Sequence, residues 1–208
     1  RTPAIQTDDS SGTATKMMRI FTLLLFLPLS TLADQPTARD IVTAARARVG
    51  VTTTYDPSYV SLKYPGGDVP NDRGVCTDVV IRALRQSGID LQKLVHVDMK
   101  AHFSPYPKIW GLKRTDRSID HRRVPNLKTF FKRRGFSLPV TKTASDYQPG
   151  DLVTCTVPPH LPHIMIVSDK KAADGTPLVI HNIGRGTREE DSLFTYPLTG
   201  HYRWKFDQ

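Results

Sequence analysis

Tyr64-Pro65-Gly66-Gly67-Asp68-Val69-Pro70-Asn71-Asp72-Arg73-Gly74-Val75-Cys76-Thr77-Asp78-Val79-Val80 is the stretch on which the reading of this chain turns. Up to Gly74 it is dense in Gly, Pro, Asp and Asn, residues that build turns. Helical spacing then begins abruptly. Val75, Val79 and Ala83 form one apolar row, Val80 and Leu84 an adjacent one, and Gly88 supplies the stop. Cys76 therefore falls in the first turn of a helix, where unpaired main-chain amides and the positive end of the macrodipole face its sulfur. The expectation is a lowered thiol pKa and a reactive thiolate near neutral pH.

Working outward, Thr37 or Asp40 caps a helix over residues 41–49 that Gly50 ends, and residues 52–55 read as extended. Beyond the Cys76 helix, residues 91–99 carry a second helical segment. Residues 102–124 are rich in Pro, Gly, aromatic and basic residues without a period, which marks an ordered excursion rather than a linker. Residues 125–135 open on Pro125, close on Gly135 and place cations in the last turn, the signature of a helix with a basic outer face. Strands follow at 151–157, 163–168, 178–182 and 202–206. Helices first and strands later give an α+β class, with the nucleophile helix packed on a mostly antiparallel sheet.

Residues 17–33 have the form of a secretory signal peptide: Arg19, the apolar run Ile20-Phe21-Thr22-Leu23-Leu24-Leu25-Phe26-Leu27, Pro28 as breaker, and the exit Thr31-Leu32-Ala33 with cleavage after Ala33. The apolar run is too short to span a bilayer, so no stable membrane span is expected after cleavage, and no cysteine follows it to take a lipid. Residues 1–16 read as an upstream segment expected to be disordered, and 34–208 as a single domain, placed in the periplasm or secreted. The chain has 29 Lys and Arg against 20 Asp and Glu, a formal net charge of +9. The surplus gathers between Lys108 and Arg134, above all at Arg122, Arg123, Lys128, Lys132, Arg133 and Arg134. An exported basic protein meets peptidoglycan and other anionic cell-wall material, and no nucleic-acid module is present to argue for nucleic acid as a partner.

The two cysteines, Cys76 and Cys155, invite a disulfide in an oxidising compartment. Cys155, however, lies in the strand-like run of residues 151–157 as a small buried hydrophobe, and a bridge would consume the proposed nucleophile, so free thiols are expected. A cysteine nucleophile needs a base within hydrogen-bond reach and a third group to orient it. His163 follows Pro162 at the head of an apolar strand, and His181 ends the run Pro177-Leu178-Val179-Ile180-His181. His160 competes as base but lies among prolines. No metal or cofactor is assigned.

In order, these residues resemble the NlpC-type cell-wall cysteine peptidases, a bacterial branch of the papain-like fold. The resemblance is carried by Tyr64 and Gly66-Gly67 before Cys76, then Pro149-Gly150-Asp151-Leu152-Val153, then His163-Ile164-Met165-Ile166-Val167, then Val179-Ile180-His181. At a closer level, Gly74-Val75-Cys76-Thr77-Asp78-Val79-Val80 with Ile119-Asp120-His121-Arg122-Arg123-Val124-Pro125-Asn126-Leu127 is similar to a family of secreted bacterial proteins known only as a domain of unknown function. The resemblance implies Cys76 as nucleophile, His163 as base, His181 as its orienting partner, and Tyr64 with the Cys76 amide as oxyanion donors.

Two positions depart from the NlpC pattern. Val75 stands where an aspartate implicated in binding a substrate amine is usual, and Met165 stands where glycine is common. Asp78 or Asp72 could restore the carboxylate, with Asp120, His121 and Arg122 as further substrate contacts or an ionic network. The function implied is a secreted thiol hydrolase cleaving an amide bond in peptidoglycan stem peptides or cross-links. A non-catalytic wall-binding module and a thiol acyl or peptidyl transferase are the alternatives.

Overall fold

In the computed structural model, which describes residues 35–206, four helices accompany a six-stranded antiparallel sheet. Helix α1 (Ala38–Arg46) starts where Thr37 and Asp40 cap each other reciprocally, and it buries Ile41, Val42 and Ala45. It stops at Arg46, short of the expected residue 49. Helix α2 (Cys76–Gln86) is buried at every position from Cys76 to Leu84. Such a helix belongs in the core, and it packs against α1 and the sheet. Helix α3 (Leu91–Ala101) is capped by Asp90. The excursion then runs through a 3₁₀ turn (Asp120–Arg122) into α4 (Val124–Arg133), which has Pro125 in its first turn.

A two-residue parallel pair, β1 (Thr54–Tyr55) with β2 (Arg73–Gly74), sets Tyr55 beside Gly74 just before the cysteine. The main sheet comprises β3 (Ser137–Leu138), β4 (Leu152–Val157), β5 (Leu161–Lys171), β6 (Pro177–Asn182), β7 (Thr187–Glu190) and β8 (Leu198–Tyr202), in the order β3-β8-β4-β5-β6-β7. Both of its faces are covered. Leu152, Ile164, Ile166 and Ile180 join the helices in the main core, whereas Val153, Met165, Val167 and Val179 pack with Tyr147 and Leu193 beneath the other face. That explains why these strands read as continuous apolar runs rather than alternating ones.

Two strand expectations change. The last strand lies at Leu198–Tyr202, not 202–206; Trp204 follows it and packs its ring 4.8 Å from that of Phe136. Strand β7, with sequence Thr-Arg-Glu-Glu, has no apolar pattern and forms because its backbone pairs with β6. The leader assigned to residues 17–33 and the segment before it lie outside the described residues. Among the described residues no helix is long and apolar enough to cross a membrane.

Candidate active site

The start of α2 is fixed by a buried carboxylate. Asp78 Oδ2 accepts from the Val75 amide at 2.7 Å, and its two oxygens accept from Arg122 Nε and Nη2 at 2.9 Å each. The two side chains are 3% and 2% exposed. A Cβ at Gly74 would lie 2.9 Å from Asp78 Oδ2, so the loop closes onto this carboxylate because residue 74 has no side chain. Thr77 Oγ1 donates to the Arg122 carbonyl at 3.0 Å, and Asn182 Nδ2 to the Gly74 carbonyl at 3.0 Å. The nucleophile's backbone is thus tied to both the excursion and the end of β6.

Cys76 is free and 5% exposed. Burial pushes its thiol up to about 11, against hydrogen bonds from the Ile164, Thr77 and Cys76 amides that favour the thiolate. The expectation of a lowered thiol pKa is therefore corrected: amides at a helix start favour the anion, but loss of hydration outweighs them here. Cys155 is also free and buried, and its thiol is pushed up to about 12, first by burial.

The amide of Ile164 is available to Cys76 because the strands part there. The β5–β6 ladder pairs Ile166 with Ile180 and Val167 with Val179 but goes no further toward His163 and Asn182. The start of α2 sits at this opening, tied to it by the Asn182 side chain. His163 and His181 have the strand parity of Met165 and Val179, opposite to Ile164 and Ile180, which share the main core with Cys76. Among the described residues no hydrogen bond joins the sulfur to the His163 ring, while nearby main-chain amides favour its anion.

The histidines form a row. His163 Nε2 lies 2.8 Å from His181 Nδ1, and His181 Nε2 lies 2.9 Å from Glu190 Oε1. Burial lowers both pKa values, His163 to about 3, so both rings rest neutral. The carboxylate accepts only, which places the His181 proton on Nε2 and leaves Nδ1 as an acceptor. His163 must then donate through Nε2, and its Nδ1 keeps the free lone pair. The network thus assigns the tautomer a base needs. Glu190 was not anticipated because it belongs to β7, the strand without an apolar pattern.

A cleft of about 360 Å³ opens on Cys76 between Tyr55, Tyr59, Trp110, Arg122, Arg123 and Pro162. Tyr64 does not line it. Its ring meets His96 edge-on at 5.1 Å and lies under the Arg117 guanidinium, so the expectation of an oxyanion donor at Tyr64 is corrected. The phenol beside the cysteine is Tyr55, raised to about 12 by burial first and then by Cys76 and Asp78. Its signal in the sequence was the extended run before the loop, but a two-residue parallel pairing leaves no pattern to read.

Asp78 is spent on Arg122 and the Val75 amide, and is a clamp rather than a substrate contact. Asp120 and His121 are buried away from the cleft. Burial raises Asp120 to about 6 and lowers His121 to about 4, and neither His121 Nδ1 nor Asp120 Oδ1 has a partner. Arg122 lines the cleft with its guanidinium already paired. Asp72 is exposed and bonded to Arg73 instead of capping α2, and His160 is exposed in the β4–β5 turn. Lys132 on α4 and Arg134 just past its end are exposed, Lys128 is half-buried, and Arg133 pairs with Asp98 at 2.8 Å. Among the described residues no cluster of His, Cys, Asp and Glu could hold a metal ion.

A solved structure of NlpC1 from Trichomonas vaginalis is similar at a TM-score of 0.42 and 15% identity, over 81% of this chain and 45% of that one. The chain spans less than half the length of that protein, and a likeness at this level carries no assignment. The uncharacterized protein YijF of Escherichia coli (strain K12) is 58% identical over 164 residues, 79% of this chain and 80% of the relative. The family model for a domain of unknown function, DUF1287, matches residues 42–204, a span that holds Cys76, the histidine row and Glu190, and the chain belongs to that family.

Proposed function

We propose that this protein is a papain-like cysteine hydrolase that cleaves an amide bond in peptidoglycan stem peptides or cross-links. The reading is supported by the hydrogen-bonded row His163–His181–Glu190 together with a free cysteine at a helix start. Cys76 attacks the amide carbonyl carbon as its proton passes to His163 Nδ1. The oxyanion receives the Cys76 amide and the Tyr55 hydroxyl, a neutral donor at neutral pH. His163 returns the proton to the nitrogen as the C–N bond breaks, and the free amine leaves. Water, deprotonated by His163, then releases the acid and restores the thiol.

The leader at residues 17–33 supports a periplasmic or secreted location, where the wall is the available polymer. Exposed Lys132 and Arg134, at the end of α4, add long-range attraction for that anionic material. The test is incubation of the chain with purified sacculi and mass analysis of the fragments, with Cys76→Ala as control. New fragments absent with the variant support the hydrolase. The buried, protonated thiol favours one second reading, a wall-binding module without catalysis. Sedimentation with sacculi and no fragments would support that instead.

A further inference from the structure

The cleft above Cys76 holds one cation with donors to spare. Two arginines line it, and no aspartate or glutamate does. Arg122 is consumed by Asp78. Arg123 is different: its guanidinium lies over the Trp110 ring at 4.2 Å, and its Nη1 is buried without a hydrogen-bond partner. Asp120 and Asp116 lie near enough to act on its charge, but the closer contact recorded, Asp120 Oδ1, stands at 4.0 Å, beyond hydrogen-bond range. Burial lowers the Arg123 pKa, the mark of a cation whose charge is under-compensated. Arg123 is also the N-cap residue of α4 and makes no side-chain cap, while Val124 and Pro125 of the first turn line the same cleft. The positive end of that helix therefore adds to the same mouth.

A buried guanidinium N–H without an acceptor is costly, and the stacked Trp110 holds its plane in place for a planar partner. We infer that Arg123 receives a carboxylate of the substrate, so that the amide presented to Cys76 belongs to a peptide or acyl compound with a free carboxylate near the scissile bond. The inference rests on Cys76 being the nucleophile of the proposed hydrolase and adds the charge class of its substrate.

Iodoacetate and iodoacetamide test it, because they alkylate the same sulfur and differ by a carboxylate. The full chain is treated with each reagent, Cys76 is followed by peptide mass mapping, and the rate ratio of acid to amide is taken within each variant. Wild type is expected to prefer iodoacetate by about tenfold, with saturation, the advantage one charge-assisted hydrogen bond gives. Arg123→Gln brings the ratio to about one or below, and Arg123→Lys leaves it between. A wild-type ratio at or below one overturns the inference, as does a high ratio that Arg123→Gln leaves unchanged. The wild-type ratio decides even if a variant folds poorly. The ratio does not depend on wall cleavage, so a carboxylate preference without fragments from sacculi would sink the hydrolase reading and leave the anion site standing.

Discussion

Replacing Asp78 with alanine tests whether the helix start is held as described. The substitution removes both 2.9 Å bonds to Arg122 and the 2.7 Å acceptor of the Val75 amide at once. Arg122 cannot turn to water, because its side chain is 2% exposed and its other bond, from Nη1 to the Ser58 carbonyl, is long at 3.4 Å. Removing one partner of a buried pair leaves an uncompensated charge, which costs roughly 3–5 kcal/mol. A loss of about 4 kcal/mol is expected, read as a fall in the urea midpoint at unchanged m-value. The double variant Asp78→Ala with Arg122→Leu removes the stranded charge and should recover part of that loss. Cys76 should also lose some of its burial in Asp78→Ala, and its thiol pKa should fall from about 11 toward the ordinary value. A stability loss below about 1 kcal/mol, or a double variant no more stable than the single one, would refute the clamp.

With the thiol raised to about 11, alkylation of Cys76 by iodoacetamide should climb with pH beyond 9; a plateau by pH 8 would contradict the burial argument. Glu190→Leu should release the His181 proton from Nε2 and mix the His163 tautomers, read from ring nitrogen chemical shifts, with turnover falling about tenfold; unchanged shifts would show that the carboxylate does not act through the row. His121, lowered from 6.5 to about 4, stays neutral when folded but binds a proton when unfolded. Stability should therefore drop as pH falls from about 6.5 to 4, by on the order of 3 kcal/mol from this group. Urea unfolding of His121→Gln across that range should give a flatter profile, and an unchanged profile would remove His121 as the cause.

Much of the frame was legible because it rests on local signals. The Thr37 cap, the break at Gly74, Pro125 in the first turn of α4 and the apolar runs of β4 to β6 each carry their own pattern, and the α+β class follows from their order. The pairing of His163 with His181 was legible as two polar residues at the ends of neighbouring apolar strands. What escaped depends on long-range geometry or on charge balance. Tyr55 reaches the cleft through a two-residue parallel pairing, and Glu190 sits on a strand made by backbone pairing alone. The thiol pKa was misjudged because the helix start is a local feature, whereas the burial that outweighs it comes from the excursion and the sheet closing around the loop. Asp78 looked like a substrate carboxylate because nothing local announces that Arg122, 44 positions along the chain, neutralises it.

Burial has a chemical consequence for the proposed reaction. With the Cys76 thiol near 11 and the His163 imidazole near 3, the proton stays on sulfur at neutral pH, and the resting site is an uncharged pair, not a thiolate beside an imidazolium. The thiolate is the form that oxidises, so an uncharged sulfur is the safer resting state. Charge has to be created during attack, where it is met by groups already in place. Main-chain amides around the start of α2 favour the sulfur's anion, and Tyr55 lines the same cleft as a neutral donor. Glu190, reaching His163 through His181, supports the imidazolium as it forms. Such preorganised dipoles act on developing charge without having to reorient. The substrate supplies the remaining condition, because filling the cleft excludes water and strengthens each of these interactions. On this account selectivity and activation are coupled. A ligand that seats its carboxylate on Arg123 would hold its amide carbonyl where these donors meet the charge that develops on attack.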